Sequence, residues 1–552
     1  MGPTGSTLSS FRYTYNDANQ RVRVTLSDGS YWLYEYDRLG QVIAGRKYWS
    51  DGTPVAGQQF EYGFDDIGNR KVARRGGDEN GWNLRESLYT ANLLNQYSQR
   101  TVPGYVDIIG IALATKPVYV NGQLAYRKGE YFRRELSVNN ASAPVWQQVT
   151  VTATGETPVT GNVFVPRAPE SFTYDLDGNM TSDGRWNYTW DAENRLIKVE
   201  SRSDTPQSSW RRVEWQYDAL GRRIRQITSD GSSGTWVVAE DLKLVSDPTL
   251  FGRHVIELNA TNVVVRTYGW GLDLSGSLDG AGGVGGLLWV TLHTASGSAA
   301  GTHFAAYDGN GNVVALSAAS DGSPTARYEY GPFGEPIRVT GPAAILNPFR
   351  FSTKRTDSTT DLVLYEYRVY QPSMGRWLSR DPVEERVGEN LMSFLRNDPI
   401  PGIDPLGLYN WGTVGDFRIT KEGSYTRTTI KGSWFMKRPG DGDPCCEPPA
   451  CATGRRIDKG GGFFSSSITM QLELAFTNGT HKELIVLWNT CYLPDYTVGI
   501  RTNCNNKLVC EIPTVWWPNQ WGCYLTSAMV SFLSCEKGKW TTKVLYFNKD
   551  YK

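Results

Sequence analysis

Eight cysteines are the residues whose type and number most plainly permit chemistry in this chain. They are Cys445, Cys446, Cys451, Cys491, Cys504, Cys510, Cys523 and Cys535. An even number of cysteines in one short stretch predicts a disulfide framework formed in an oxidising compartment. Spacing does not give the pairing, although adjacent Cys445 and Cys446 are expected to take different partners. Zinc ligation is the alternative, but there is no Cys-x-x-Cys pair and His481 is the only histidine nearby, so we expect no metal or other cofactor.

The residues around the cysteines contain no catalytic motif. His481, Cys491 and Asp495 could be combined into a site, but a surface histidine and structural residues are the simpler interpretation. The cluster Trp516, Trp517 and Trp521 could bind carbohydrate or a partner surface, and core packing is again the simpler interpretation. A carbohydrate or cell-surface target is therefore a partner that the sequence allows.

A sharp boundary precedes this region at Asp404-Pro405-Leu406-Gly407-Leu408. The residues before it contain no cysteine and are rich in Tyr and Gly, and the composition changes immediately after it. Apolar or alternating runs such as Ser467–Phe476 predict that residues 409–552 form a separate β-rich domain. The boundary thus indicates a scaffold joined to a passenger.

A short turn motif recurs through the first part of the chain and must position whatever chemistry it carries. An aromatic residue is followed by Asp (or Asn or Gly) and, three residues later, by Gly or Asn. The Asp side chain can accept N–H groups and start a turn, and Gly or Asn accepts the left-handed conformation that ends it. Each copy therefore predicts a strand–turn–strand hinge. The eight copies are Tyr15-Asn16…Asn19, Tyr36-Asp37…Gly40, Phe64-Asp65…Gly68, Tyr174-Asp175…Gly178, Trp190-Asp191…Asn194, Tyr217-Asp218…Gly221, Tyr307-Asp308…Gly311 and Tyr330-Gly331…Gly334.

Two longer gaps separate some of these copies. Gln147–Val165, rich in Val and Thr, and the Gly-rich Leu274–Gly286 lie in them, and we predict further strands with degenerate repeats there. No long amphipathic helix is apparent, and Arg376–Asn397 is the most favourable place for short helical or irregular structure.

These repeats resemble the YD repeats of the RHS (rearrangement hotspot) family. The segments Tyr328–Pro336, Asn347–Thr353, Tyr365–Tyr370, Gly375–Pro382 and Asp404–Leu408 resemble its RHS-associated core domain. The resemblance implies an all-β fold in which a YD-repeat sheet spirals into a hollow, partial shell. The expected domains are a repeat shell over 1–327, a core domain over 328–408 and a variable C-terminal domain over 409–552.

The resemblance also implies a reaction. Toxin members of the family cut their own chain after the DPxGL motif, which here places the cut between Leu408 and Tyr409. The implied groups are aspartates acting once, as in an aspartic protease. Asp381 matches one of them, Asp357 is our first choice for the second, and Asp361, which stands where the family usually has Gly, is its alternative. Asp404 lies in the cleavage motif and is expected to position the scissile bond.

Bulk properties exclude several other functions. Net charge is zero, with 17 Lys and Arg against 12 Asp and Glu in residues 409–552, so neither part has the dense basic patch of a nucleic-acid binder. No apolar stretch is long enough to span a membrane. The first ten residues are not a signal peptide. Because the chain begins inside a repeat, we expect a fragment of a longer protein that is secreted or displayed at the cell surface.

The size of the scaffold bears on its partners. A passenger of this size has a radius of gyration of roughly 15 Å, and a closed sheet around it needs about 450 strand residues. Fewer precede Tyr409, so closure calls for a missing N-terminal region or a second shell-forming chain.

Two functions fit the sequence. In the first, a scaffold of the polymorphic-toxin kind encloses its own C-terminal domain as passenger, cleaves itself and releases residues 409–552 as an effector. In the second, a non-enzymatic secreted or cell-surface protein displays a disulfide-stapled binding or adhesion domain. Toxicity of isolated 409–552 in a bacterial cytosol and periplasm distinguishes them.

Overall fold

The computed structural model describes residues 9–382 and 390–408 in full and, within residues 409–552, the strands alone. The chain divides into two compact units, Met1–Asn410 and Trp411–Lys552. The predicted all-β class is confirmed, because the described residues form β-strands and short 3-10 turns without an α-helix. The 3-10 turns are Gln207–Ser209, Gly297–Ala299, Phe351–Thr353 and Leu395–Asn397.

The first sheet has nine antiparallel strands, which are neighbours in chain order until the last. They are β1 Phe11–Tyr15, β2 Arg21–Leu26, β3 Tyr31–Tyr36, β4 Val42–Tyr48, β5 Pro54–Phe64, β6 Arg70–Gly76, β7 Leu84–Ala91, β8 Tyr97–Arg100 and, beyond an insertion, β16 Glu170–Ser171. The insertion forms two small sheets. Their strands are β9 Tyr105–Ile111, β10 Val118–Val120, β11 Gln123–Leu124, β12 Tyr126–Lys128, β13 Tyr131–Ser137, β14 Val145–Ala153 and β15 Val159–Val165.

The second large sheet has fourteen antiparallel strands, all in chain order. They are β17 Thr173–Tyr174, β18 Met180–Ser182, β19 Trp186–Trp190, β20 Leu196–Ser201, β21 Arg211–Tyr217, β22 Arg223–Asp230, β23 Val237–Ser246, β24 His254–Asn259, β25 Val264–Trp270, β26 Leu287–Leu292, β27 Gly301–Tyr307, β28 Val313–Ala318, β29 Pro324–Tyr330 and β30 Pro336–Thr340.

The residues that follow β30 form the core segment, by which we mean residues 347–408. It contains a small antiparallel sheet of β31 Arg355–Thr356, β32 Val363–Leu364, β33 Val369–Gln371 and β34 Arg376–Trp377. Phe351, Tyr365, Tyr370, Trp377 and Phe394 pack together in its interior, with the rings of Tyr370 and Phe394 4.0 Å apart. Burial of so many aromatic rings gives this short, irregular segment a core of its own.

Alternation of side chains explains how the large sheet faces the core segment. In β21, Val213 and Trp215 are buried, whereas the intervening Glu214 is only partly covered. Val213 and Trp215 share a hydrophobic cluster with Leu364 and Val369 of the core segment. A period of two along the strand therefore turns the apolar face of the sheet toward the core segment.

The repeated turns form as predicted. At Asp218, one carboxylate oxygen accepts the N–H groups of Leu220 and Arg222, each at 2.9 Å. Gly221, three residues on, has φ +77° and donates its N–H to the Asp218 carbonyl. All eight closing residues have positive φ: Asn19, Gly40, Gly68, Gly178, Asn194, Gly221, Gly311 and Gly334. The hinges between successive strands are thus built by one local device.

The two gaps between copies differ. Strands β14 and β15 confirm the prediction for 147–165. The prediction for 274–286 is wrong, because β25 ends at Trp270 and the chain then forms a loop until Leu287. The Asp273 carboxylate orders this loop by accepting N–H groups from Ser275, Ala281 and Gly283.

The strands of residues 409–552 form two antiparallel sheets. They are β35 Phe417–Glu422, β36 Tyr425–Trp434, β37 Thr453–Arg456, β38 Ser467–Phe476, β39 Gly479–Asn489, β40 Arg501–Asn503, β41 Lys507–Pro518, β42 Leu525–Glu536 and β43 Lys539–Asn548. The predicted strand over Ser467–Phe476 is confirmed with the same bounds.

Candidate active site

Arg368 is the centre of a buried polar cluster in the core segment. Its Nη2 atom lies 2.9 Å from Oδ2 of Asp381 and 3.4 Å from Oδ2 of Asp404. The three side chains are 1%, 2% and 1% exposed, in that order. One guanidinium thus draws together two carboxyl groups that are far apart in sequence, in a site shielded from bulk water.

Strand geometry and an aromatic ring position Arg368. The residue directly precedes β33, and its guanidinium carbon lies 4.1 Å from the ring centre of Trp377 in β34. Its Nη1 atom lies 3.4 Å from the carbonyl oxygen of Leu391, which also accepts the N–H of Asp381 at 3.1 Å. The Leu391 carbonyl therefore sets the backbone of Asp381 beside the arginine.

The segment Asp404–Leu408 wraps around the carboxyl group of its own first residue. Oδ1 of Asp404 accepts the N–H groups of Leu406, Gly407 and Leu408 at 3.3, 2.8 and 3.1 Å. The carbonyl of Gly407 accepts a hydrogen bond from Nε of Arg368. The N–H of Tyr367 donates to the carbonyl of Leu406 at 3.1 Å. The segment Asp404–Leu408 is thus fixed by both the arginine and one of the aspartates.

Position 407 is one that only glycine can occupy without strain. Its φ is +77°, and a Cβ placed on it would lie 2.9 Å from Cβ of Tyr365 and 3.2 Å from the nitrogen of Arg368. The left-handed conformation and the close backbone approach both require glycine.

Burial and neighbouring charges shift the pKa values of the ionisable groups in this cluster. Burial raises the pKa of the Asp404 carboxyl to about 7, although Arg368 and the N–H groups of Gly407 and Leu406 oppose this. Burial also lowers the pKa of Arg368, against the opposing charges of Asp381 and Asp404. A carboxyl group that holds a proton near neutral pH beside a second carboxyl group is the arrangement used for acid–base hydrolysis of amides.

Asp357, the sequence-based first choice for the second aspartate, lies in a different environment. Its Oδ2 accepts a hydrogen bond from Nε2 of Gln226 at 2.9 Å. Its Oδ1 accepts hydrogen bonds from the N–H and the hydroxyl of Thr360 at 2.9 and 2.8 Å. Burial raises its pKa. Its contacts shape a turn and join the core segment to β22, whereas Asp381 and Asp404 meet at Arg368.

Asp361 closes that turn. Its φ is +59°, and its N–H donates to the carbonyl of Asp357 at 2.8 Å. A left-handed residue explains the usual glycine of the family at this position, and Asp tolerates the conformation better than most residues.

Sequence reasoning gave Arg368 no role, although it lies within the aromatic run Tyr365–Tyr370. An arginine between aromatic residues is the available signal, because aromatic residues favour burial and a buried arginine needs carboxylate partners.

Other predictions fall outside the described residues. Tyr409 lies there, as do the side chains of the eight cysteines and of Trp516, Trp517, Trp521 and His481. In the described part of the chain, no group of three or more His, Cys, Asp and Glu residues could hold a metal ion. No helix in that part is long and apolar enough to cross a membrane.

Comparison with known proteins gives several matches. Residues 292–399 match the family model described as Teneurin YD-shell. The chain is 29% identical over 251 residues to the tRNA3(Ser)-specific nuclease WapA of Bacillus spizizenii, covering 44% of this chain and 9% of WapA. It is 25% identical over 435 residues to the toxin subunit YenC2 of Yersinia entomophaga, covering 72% of this chain and 42% of YenC2. The chain therefore spans less than half the length of these relatives.

Among solved structures, the TcdB2-TccC3-Cdc42 complex matches with 18% identity and a TM-score of 0.36. That match covers 72% of this chain and 19% of the other.

Proposed function

We propose that this chain, an RHS/YD-repeat protein, is a scaffold that encloses or presents residues 409–552. The scaffold is proposed to cut itself after Leu408 and so release them. One observation carries the proposal. Arg368 contacts Asp381, Asp404 and the carbonyl of Gly407, the residue before the proposed cleavage residue. Acid, base and target chain segment are therefore organised by the same side chain.

In the proposed reaction, the Asp381 carboxylate takes a proton from water while the water oxygen attacks the carbonyl carbon of Leu408. Protonated Asp404 gives its proton to the carbonyl oxygen, so the tetrahedral intermediate is a neutral diol. The diol then returns a proton to Asp404 as the C–N bond breaks, and Asp381 gives its proton to the departing nitrogen of Tyr409. One water is consumed, Leu408 gains a carboxyl group and Tyr409 gains a free amino group.

A site of this kind has to act once. The scissile segment belongs to the same chain and is held by hydrogen bonds at Leu406, Gly407 and Leu408. Effective concentrations for such well-placed intramolecular reactions reach about 10⁵ M or more, so modest acid–base assistance suffices.

The released residues are proposed to act as an effector outside the cell that makes them. The similarity to a tRNA-specific nuclease and to a toxin subunit supports a toxin context. The scaffold is proposed to work with its own C-terminal residues as passenger and with a further N-terminal region or a second chain to close around them.

The assignment of the two aspartates is tested with Asp404→Asn and Asp357→Asn. Each chain is produced in inclusion bodies, refolded and followed by intact mass spectrometry. We expect Asp404→Asn to stay uncut, because the amide cannot supply the proton, and Asp357→Asn to be cut, because Asp357 contacts Gln226 and Thr360 instead of Arg368.

The opposite pattern, with Asp404→Asn cut and a folded Asp357→Asn uncut, would overturn the assignment. If neither these variants nor the wild-type chain were cut, a scaffold that displays residues 409–552 permanently would replace self-cleavage.

A further inference from the structure

A small cavity lies between the fourteen-stranded sheet and the core segment. Neither Asp381 nor Asp404 lines it, although Gly282 of the lining packs against Pro405. Its volume is about 30 Å³, enough for about two water molecules or one small ion. Residues from β22, β23, β24 and the core segment line it: Arg223, Ser246, Arg253, His254, Lys354 and Glu366.

Five buried polar atoms of the lining have no hydrogen-bond partner. They are Nε of Arg223, Oγ of Ser246, Nη1 and Nη2 of Arg253, and Nδ1 of His254. Arg253 is 2% exposed and His254 5%. Buried polar groups without a partner destabilise the fold, so five of them on residues that line one cavity indicate an occupant.

The chemistry of these five atoms selects the kind of occupant. Three are guanidinium nitrogens that can only donate, and a serine hydroxyl can also donate. Burial lowers the pKa of His254 to about 3, helped by the nearby Arg355. The His254 ring is therefore neutral and has a single proton, which its hydrogen bond to the Arg223 backbone uses. The four donor atoms of Arg223, Ser246 and Arg253 remain to serve an acceptor.

The nearby carboxylates are already engaged. Asp273 lies 3.8 Å from Nη2 of Arg253, but its oxygens accept N–H groups of its own loop. Both oxygens of Glu366 contact Nζ of Lys354 at 2.9 Å. The carboxylates of Asp247 and Asp279 add charge near Arg253, yet neither residue lines the cavity. Arg253 thus keeps one 3.8 Å contact with Asp273, and Nη1 of Arg223 donates to the carbonyl of Tyr365, so neither guanidinium is hydrogen-bonded to one of these carboxylates.

We propose that this cavity binds one small monovalent anion, either a halide or the carboxylate of a short acid. The anion accepts from Arg223 of β22 and from Arg253, which directly precedes β24, and so links these strands beside the core segment. Binding at this site does not require self-cleavage.

Crystals of the wild-type protein grown in acetate and soaked in sodium bromide test the proposal directly. Bromide is visible by its anomalous scattering, and we expect one peak within hydrogen-bond distance of the Arg253 guanidinium. If excess acetate removes the bromide peak, the site accepts both halides and carboxylates. If acetate leaves the bromide peak unchanged, the site is specific for halides. Water density without a bromide peak would overturn the proposal.

Thermal unfolding in solution provides the second readout. At constant ionic strength, the Tm of the wild-type protein should rise with chloride, because a ligand that binds only the folded state stabilises it. The Tm of Arg253→Met should not rise with chloride. If Arg253→Met does not fold, Ser246→Ala takes its place, and its Tm should rise only at higher chloride concentrations. Arg225→Met is the matched control, since Arg225 of β22 pairs with Asp241 at the surface; it should keep the rise. Equal chloride dependence in all four proteins would contradict the proposal.

Discussion

Asp404 combines two demands that usually conflict. Three N–H groups at its Oδ1 favour the charged form, yet burial outweighs them and raises its pKa to about 7. The side chain can therefore hold a proton at neutral pH while it still fixes the backbone of Leu408. A residue that shapes the motif can in this way also serve as its acid.

The pKa of Asp404 predicts how self-cleavage depends on pH. The proposed reaction uses protonated Asp404, so the cleavage rate should fall as pH rises through about 7. The rate is measured by intact mass after refolding the denatured chain at values from about pH 5.5 to about pH 8.5, with circular dichroism as the control for folding. A rate that rises across this range, in chains that fold equally well, would contradict the role given to Asp404.

The sequence identified Asp381 and Asp404 through their motifs, but it favoured Asp357 as the second catalytic aspartate and gave Asp404 a positioning role. All three are aspartates in turns, and only the tertiary contact with Arg368 distinguishes them. Arg368 lies 13 residues before Asp381 and 36 before Asp404, so no local spacing rule brings the three together.

The strand–turn elements were largely predictable because their cause is local. An Asx side chain accepts the N–H groups two and four residues ahead, and a left-handed residue closes the turn. Three turns with the same contacts escaped prediction, those beginning at Asp78, Asn92 and Asn259. Gly77, Ala91 and Leu258 precede them, so the aromatic half of the motif is absent. These three turns form without the aromatic residue, and the turn at Gly331 forms without an Asx residue, so the left-handed closing residue is the feature that all of them share.

Substitution of Gly407 tests whether the position of the segment Asp404–Leu408 governs the proposed cleavage. Gly407→Ala and Gly122→Ala impose similar backbone strain, because φ is +77° and +75°, but a Cβ at Gly122 meets nothing within 4 Å. The new methyl group at residue 407 should push the chain away from Tyr365 and slow cleavage by about 10²-fold. Cleavage rates on refolding measure the difference.

Gly122→Ala should lose about 1 kcal/mol of stability and cleave at the wild-type rate. Equal cleavage by the two variants would show that the position of Gly407 does not govern the reaction.

At the scale of the whole scaffold, a buried ion network joins the core segment to the fourteen-stranded sheet. Glu257 of β24 contacts Arg355 of β31 and Arg266 of β25, and accepts the hydroxyl of Tyr268 at 2.7 Å. Burial disfavours the charged carboxylate, but the two arginines outweigh it and lower the pKa of Glu257 to about 2. Its contribution to stability is therefore present above the unfolded pKa and is lost as pH falls through about 2.

Glu257→Gln should consequently lower the free energy of unfolding by about 3–5 kcal/mol at neutral pH, since it leaves the buried Arg355 without its carboxylate and Arg266 with only the partly exposed Glu240. Glu240→Gln is the control, because Glu240 also contacts Arg266 but is 45% exposed; it should cost less than about 1 kcal/mol. Urea unfolding of both variants measures the two values. A similar small loss in both would show that the network does not hold the core segment to the sheet.

Large-scale organisation was predictable to different degrees. The all-β class follows from repeated turns and from alternation, which are local. The loop after β25 did not follow, because its order comes from Asp273 accepting N–H groups across a glycine-rich stretch that has no strand periodicity. Contacts such as Glu257–Arg355 pair residues nearly a hundred positions apart, and no pattern in the sequence specifies them.

The intact mass of purified wild-type protein beside Asp381→Asn tests the central claim most directly. Self-cleavage that uses Asp381 predicts two wild-type fragments that meet between Leu408 and Tyr409. It also predicts one uncut Asp381→Asn chain of 61.6 kDa. An uncut wild-type chain, or a cut at this bond in both proteins, would contradict it.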